Sequence, residues 1–502
     1  METVHECGDI HAGPGRVARP PHVVLVPLPA QGHINPFISI ANYLAASGVS
    51  VTLVRSARAH SLLSSASKGS SPADPPQNTE KGQIRIEVVP DGLPVDPTQH
   101  VPLGTFLSSI NIIRNGVEEL LYKLMQEEHP PCCLLVDNVG WGHNVAVKFG
   151  LAWMLLWTGS ASGFSIGFYI PELVARGCIP AIGEEAKERI VDFIPGMSPF
   201  CIRDLPKAII VEEDPLNNPM LQIFLSVYES AKHADRLLVN SIYELENSVV
   251  EALRKEAGFK IEPIGPLFMM SAFSGATKSP AASLLQEDTS CLYWLDEQQE
   301  SSVLYISFGS VASIEEDAVK ELAYGLEASG LNFLWVIRPD ALPDKKSVED
   351  LFLEGFIERT CDRGRVISWA PQLAVLDHSA VGAFLTHCGW NSVLESLCSG
   401  VPMLGFPLQA DQNTNLKCIV HDWKVGLPLL KPNVQQVERL HAQWAMTAIM
   451  RGDEGREIRK HIIQWKEVAV NAVHGSSKSN LEKLVDDLKC GRLKRTHEVT
   501  QS

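Results

Sequence analysis

A strand–loop–helix unit that occurs twice does most to constrain this chain. Near the start, His22 to Leu28 is a β-branched apolar run, Pro29 to Asn35 is rich in turn residues, and Pro36 to Ser47 carries a helical period closed by Gly48. The second copy has Val303 to Ser307 as strand, Phe308 to Ser313 as loop, and a helical pattern that stops at Gly330. The helix ends share letters, Leu44-Ala45-Ala46-Ser47-Gly48 against Leu326-Glu327-Ala328-Ser329-Gly330, and each is followed by another apolar run. A strand whose helix leads back into a second strand predicts a parallel crossover, so each unit opens a doubly wound α/β domain. With 502 residues, 45% of them hydrophobic, the chain can fill two such cores, since a single core stops growing at about 250–300 residues.

These signals predict one domain over 21–268 and another over 291–474, joined by a Ser-, Ala-, Gly- and Pro-rich linker within 269–290. A further helix at 475–490 is expected to return to the first domain. Residues 1–20 and 491–502 have the composition of disordered ends. The Ser-rich stretch 60–80 reads as a surface loop, because strand-like Ile84 to Val89 follows in the same domain. Ligands of doubly wound sheets sit beyond the carboxyl ends of the strands, where strand order reverses. Two such domains facing one another make an interdomain cleft.

A formal net charge of -16 argues against a nucleic-acid or anionic-membrane surface. The apolar run at Val23 to Leu28 is too short for a signal h-region or a membrane span. Eleven cysteines with no C-x-x-C pair indicate neither a disulfide framework nor a structural metal site. A cytoplasmic monomer is expected.

The most informative stretch begins at Trp369. Val381 to Thr386 is a buried strand pattern, His387-Cys388-Gly389-Trp390 a tight connection, and Asn391 to Ser399 a helix stopped by Gly400. A helix that starts after a glycine-bearing loop presents unpaired N–H groups and a positive dipole end, which suits a pyrophosphate. Ser392 and Glu395 alone would be read as a capping box, Trp369 as core, and Asp411-Gln412 as a solvated turn.

Taken together, Trp369-Ala370-Pro371-Gln372, His387-Cys388-Gly389-Trp390-Asn391-Ser392, Glu395, Gly400-Val401-Pro402 and Asp411-Gln412 resemble the donor-binding signature of the plant UDP-dependent glycosyltransferases. The resemblance extends to Phe308-Gly309-Ser310, Asn240-Ser241, Glu244-Leu245-Glu246, Ile264-Gly265-Pro266-Leu267 and Gly475-Ser476-Ser477, and so runs from residue 21 to about 490. It implies the GT-B fold, two Rossmann-like domains around a cleft, and a UDP-sugar as co-substrate with no cofactor. By the same resemblance Trp369 would stack on uracil beside Ala370 and Gln372, and Glu395 would hold the ribose. His387, Asn391, Ser392 and Ser310 would contact the phosphates; Trp390, Asp411, Gln412 and Thr158 would face the sugar.

His33 falls in the first β–α loop, and Asp137 follows the apolar run Cys132 to Val136, so both lie at strand ends that can converge at one crevice. Each alone reads as a surface or capping group. Both match the catalytic pair of that family, and the chemistry agrees, because an alcohol nucleophile needs a base and a carboxylate fixes the imidazole's tautomer. The resemblance implies in-line attack with inversion, giving a β-glycoside. No D-x-D pair occurs, so no metal is expected. A nicotinamide or flavin enzyme would need G-x-G-x-x-G after a strand, which the loops at 29–35 and 308–313 lack. A nucleotide-sugar-binding protein without turnover is the other alternative, and His33 with Asp137 speaks against it.

By the same resemblance UDP-glucose is the expected donor, since Gln412 matches the family members that use it and Trp390 is neutral where an arginine would suit a glucuronate. The acceptor is expected to be a small hydrophobic alcohol or phenol, such as a flavonoid, another phenolic or a terpenoid. Phe164, Phe168, Phe193, Met197 and Phe200 are either its wall or ordinary core.

Overall fold

The computed structural model describes residues 20–66, 83–96, 99, 101–211, 215–270, 283–310, 314–338, 351–352, 355–431, 434 and 436–493. The ends 1–19 and 494–502, most of the Ser-rich stretch and the linker residues 271–282 lie outside the described residues.

In the first domain β1 (His22–Val26), β2 (Ser50–Ser56), β3 (Ile84–Val89), β4 (Cys133–Val136), β5 (Ala152–Trp157), β6 (Arg236–Val239) and β7 (Ile261–Pro263) form one sheet. Its order is β3-β2-β1-β4-β5-β6-β7, and every pair is parallel. In the second domain β8 (Val303–Ser307), β9 (Asn332–Val336), β10 (Gly364–Ile367), β11 (Val381–Thr386), β12 (Met403–Gly405) and β13 (Gly426–Pro428) follow the order β10-β9-β8-β11-β12-β13, again parallel. Helices cover both faces, so β1, β4, β5, β8 and β11 are buried along their whole length, as near-continuous apolar strands require. Strand order reverses between β1 and β4 in one sheet and between β8 and β11 in the other. These two switch points are where ligands bind in such sheets.

Five helices bear on the site: α1 (Gln31–Ala46), α2 (Ala161–Phe168), α3 (Trp390–Ser399), α4 (Gln412–Lys417) and α5 (Ser476–Lys489). The last packs on the first domain, where its Leu481, Leu484 and Leu488 share a core with Val23 and Leu25. Arg236 and Asp487 pair there at 2.8 Å.

One boundary differs from the sequence reading. Helix α1 begins at Gln31, ahead of Pro36, whereas a proline in a helical pattern is most readily placed at the first position. The chain closes the first turn without it, because Ala30 O accepts from both His33 N and Ile34 N at 2.9 Å. His33 therefore sits on the first turn of a helix and not in a loop.

Candidate active site

At the first switch point the backbone brings His33 and Asp137 together. Asp137 follows β4 and is fully buried. Its Oδ2 accepts from Leu28 N at 2.9 Å and its Oδ1 from Asn138 N at 2.8 Å, so the carboxylate cannot turn. The same Oδ2 lies 2.9 Å from His33 Nδ1, and Thr158 Oγ1 lies 3.0 Å from that nitrogen. An Nδ1–H donated to Asp137 leaves Nε2 with its lone pair, on a ring that lines the cavity between the domains. Burial works to lower the His33 pKa, but the charge and hydrogen bond of Asp137, helped by the charge of Asp411, outweigh it and the net shift is upward.

The facing wall comes from the second switch point. Gly309 and Ser310 follow β8, and His387 follows β11; all three line the cavity. Gly309 has φ +74°, and a Cβ there would lie 2.5 Å from the His387 ring, so only glycine lets loop and ring approach this closely. His387 is neutral: burial, aided by the charge of Arg338, pulls its pKa down to about 4. Helix α3 is capped by the backbone of Gly389 and its first helical bond is Val393 N to Gly389 O at 3.0 Å. The N–H groups of Trp390, Asn391 and Ser392 thus precede the helical ladder and stay available to an anion.

Gln372, Ser392 and Glu395 form one polar cluster. Gln372 Nε2 donates to Ser392 Oγ at 3.0 Å and to Glu395 Oε2 at 2.6 Å, while its Oε1 accepts from Tyr305 OH at 3.3 Å. The capping-box reading of Ser392 and Glu395 is excluded, since the cap is Gly389 and Ser392 lies inside the helix. Burial pushes the Glu395 carboxyl up to about 7, with Gln372 opposing and Asp377 adding to the shift. Trp369 and Ala370 line the cavity, and the Trp369 indole donates to Ser283 Oγ at 2.9 Å.

Four placements differ from expectation. The Trp390 residue lines the cavity, but its indole N–H donates to Asn240 O at 2.7 Å and its ring packs beside Trp423, so its side chain has no free polar group for a sugar. Thr158 is buried against the base, as above, and does not line the cavity. The Asp411 carboxylate accepts from Asn415 Nδ2 at 3.1 Å and lies behind the lining residues Ala410 and Gln412; burial raises its pKa. Asn391 turns its amide from the anion position toward the first domain, donating to Gly32 O at 2.6 Å. Gln412 does reach the cavity, with Oε1 held by Leu408 N and Gln409 N at 2.7 and 2.8 Å and its amide nitrogen directed elsewhere.

Of the two readings left open for the aromatic and Met residues, ordinary core is the one the structure shows. Phe164 and Phe200 are buried in the first-domain core, with Phe164 against Trp157, Tyr228 and Phe259, and Phe168, Phe193 and Met197 pack on the same cluster. The cavity, about 1390 Å³, is lined instead by Leu62, Leu93, Leu107, Ile110, Phe224 and Val227 among others. Sequence reasoning also passed over Asn240, Tyr305 and Ser283. A signal existed only for Asn240, as part of the Asn240-Ser241 match.

Residues 184–455 match the family described as UDP-glucoronosyl and UDP-glucosyl transferase. The chain is 34% identical to linamarin synthase 1 of Manihot esculenta over 94% of its own length and 97% of that protein's. It is likewise 34% identical to 7-deoxyloganetin glucosyltransferase of Catharanthus roseus, over 94% and 97%. The structure of Phytolacca americana UGT2 complexed with UDP-2fluoro-glucose and pterostilbene superposes with a TM-score of 0.74 at 28% identity, covering 93% of this chain and 99% of that one. With two Rossmann-like sheets meeting at a cleft and a His–Asp pair on its wall, the chain belongs to the UDP-glycosyltransferase family and is a glycosyltransferase of the GT-B fold.

Proposed function

We propose that this enzyme transfers glucose from UDP-glucose to a hydroxyl of a small hydrophobic acceptor, with inversion and without a metal. The observation that carries the reading is the His33–Asp137 pair at 2.9 Å, on one wall of a cavity whose opposite wall holds His387, the start of α3 and the Gln372–Glu395 cluster. His33 Nε2 takes the acceptor proton as its oxygen attacks C1, and Asp137 stabilises the imidazolium. The C1–O bond to UDP breaks on the far side, and the free N–H groups of α3 receive the charge on the departing phosphate. Trp369 stacks on the base, and Glu395 accepts from the ribose hydroxyls.

The apolar wall suits an apolar acceptor presenting one hydroxyl, in keeping with the 7-deoxyloganetin and pterostilbene named for the relatives. Glucose is supported by the glucosyltransferase relative and by Gln412, whose free amide nitrogen can donate to a sugar hydroxyl. Purified enzyme given equal UDP-glucose, UDP-galactose, UDP-glucuronate and UDP-xylose, with a panel of flavonoids, simple phenols and terpenoid alcohols, should yield mainly a product heavier by one hexose and identified as a β-glucoside. A galactoside or glucuronide as main product would overturn the donor assignment. Excess EDTA should leave the rate unchanged, and a loss restored by magnesium or manganese would refute the metal-free reading.

A further inference from the structure

A proline inside a helix has no N–H to give to the carbonyl four residues earlier. In α1 that proline is Pro36, and the carbonyl it leaves without a helical partner belongs to Gly32, the residue immediately before the base His33. The freed oxygen is not left to solvent. Asn391 Nδ2, on the first turn of α3 in the other domain, donates to it at 2.6 Å. Asn391 Oδ1 in turn accepts from Asn240 Nδ2 at 3.3 Å, and the neighbouring Trp390 Nε1 donates to Asn240 O at 2.7 Å. Asn240 is itself fixed, since its Oδ1 accepts from Leu267 N at 3.0 Å. Gly32 leaves room for this approach, because a Cβ there would lie 3.2 Å from Asn391 Nδ2.

We infer that Pro36 and Asn391 together form a positioning clasp, in which the carbonyl that Pro36 frees at Gly32 is held by Asn391 and sets the spacing between the base His33 and the anion-binding start of α3. The inference rests on the transferase reading above and adds to it a role for two residues that do not act on the reacting atoms. Transfer needs the base and the departing phosphate held on opposite sides of C1, and a misplacement of about 1 Å costs on the order of 10²-fold in rate. A bond between residue 32 and residue 391 fixes this spacing at its shortest path, since each partner adjoins a group that does the chemistry.

Pro36→Ala tests the clasp without touching the cavity wall, because it restores an N–H at position 36 that draws the Gly32 carbonyl back into the helix ladder. Release of UDP from UDP-glucose, with water as acceptor, should fall about tenfold, while UDP affinity stays within about twofold and Tm is unchanged or higher because the helix gains a bond. The double variant Pro36→Ala/Asn391→Ala should be no slower than Asn391→Ala alone. In the unliganded protein, amide hydrogen exchange over residues 390–394 should quicken in Pro36→Ala. A rate within about twofold of wild type, multiplicative losses in the double variant, or unchanged exchange at 390–394 would overturn the clasp. If the wild-type enzyme neither hydrolyses UDP-glucose nor transfers its glucose to any acceptor of the panel above, the donor assignment fails instead, and the exchange measurement alone decides the clasp.

Discussion

Replacing Asp137 with asparagine exchanges one carboxylate oxygen for an NH2 group at a site with no slack. Three N–H groups converge on that carboxylate: Leu28 N and His33 Nδ1 on Oδ2, each at 2.9 Å, and Asn138 N on Oδ1 at 2.8 Å. An amide offers a single oxygen. If it occupies the Oδ2 position, the new NH2 faces Asn138 N–H and a buried donor loses its acceptor, at a cost of about 1–3 kcal/mol. If it is flipped, the NH2 faces Leu28 N–H and donates to His33 Nδ1, which drives the ring proton onto Nε2 and removes the base. Either way no negative charge remains to stabilise the imidazolium. In the serine protease triad the equivalent change lowers kcat about 10⁴-fold, so a loss of about 10²–10⁴ is expected here. UDP affinity should stay within a few-fold, because Asp137 does not line the cavity. The pH profile supplies a second readout. A base works deprotonated, and in the unliganded protein the charge and hydrogen bond of Asp137 outweigh burial and raise the His33 pKa above its ordinary 6.5, so the acid limb of wild-type kcat/KM, which reports the free enzyme, lies above that value and moves to lower pH in the variant. Steady-state rates across about pH 5 to 9 check both points. A kcat within about threefold of wild type, or an acid limb that does not move, would refute the role given to Asp137.

Three further outcomes follow from the donor wall. Because the Glu395 carboxyl takes up its proton near 7 and then loses an acceptor, UDP affinity should weaken as pH falls from about 8 to about 6; titration calorimetry should find that dependence flattened in Glu395→Gln, and equal slopes would count against a ribose contact. Gln412→Glu keeps the oxygen that holds Leu408 N and Gln409 N but removes the free NH2, so Tm should hold while kcat/KM for UDP-glucose drops about 10–100-fold; an unaltered kcat/KM would take Gln412 off the sugar. Trp369→Ala should weaken UDP binding by about 1–3 kcal/mol, as for bases stacked on aromatic rings elsewhere, and unchanged affinity would make that ring a core residue held by Ser283.

What the sequence made legible is what repeats or what a strand end forces. The two strand–helix units opened both sheets, and the reversal of order beside β1 and β8 carried His33, Ser310 and His387 to the cleft, with Asp137 held against His33. Direction of a side chain was less legible than its place. The family resemblance implies that Trp390 and Thr158 face the sugar, yet one ring turns back on Trp423 and one hydroxyl on His33. The acceptor wall stayed open in the sequence for a related reason. Phe164 and Leu107 are both apolar residues on helices, and only the packing of those helices decides that Phe164 meets Trp157 while Leu107 meets the cavity.

Much of the join between the domains was hidden for a deeper reason: several of its sockets are backbone carbonyls. Asn391 donates to Gly32 O, Trp390 to Asn240 O, Lys207 N to Ala410 O, Thr414 Oγ1 to Asp204 O and Asn413 Nδ2 to Arg203 O. Every residue carries a carbonyl, so no residue pattern marks which one is left over, and only the ladder that fails to use it does. Pro36 is the exception that could have been read, since a proline within a helical run always orphans the oxygen four places before it. Once α1 is known to begin at Gln31, that oxygen is Gly32 O, beside the base. The same proline that misled the placement of the helix start therefore identifies the point at which the second domain takes hold.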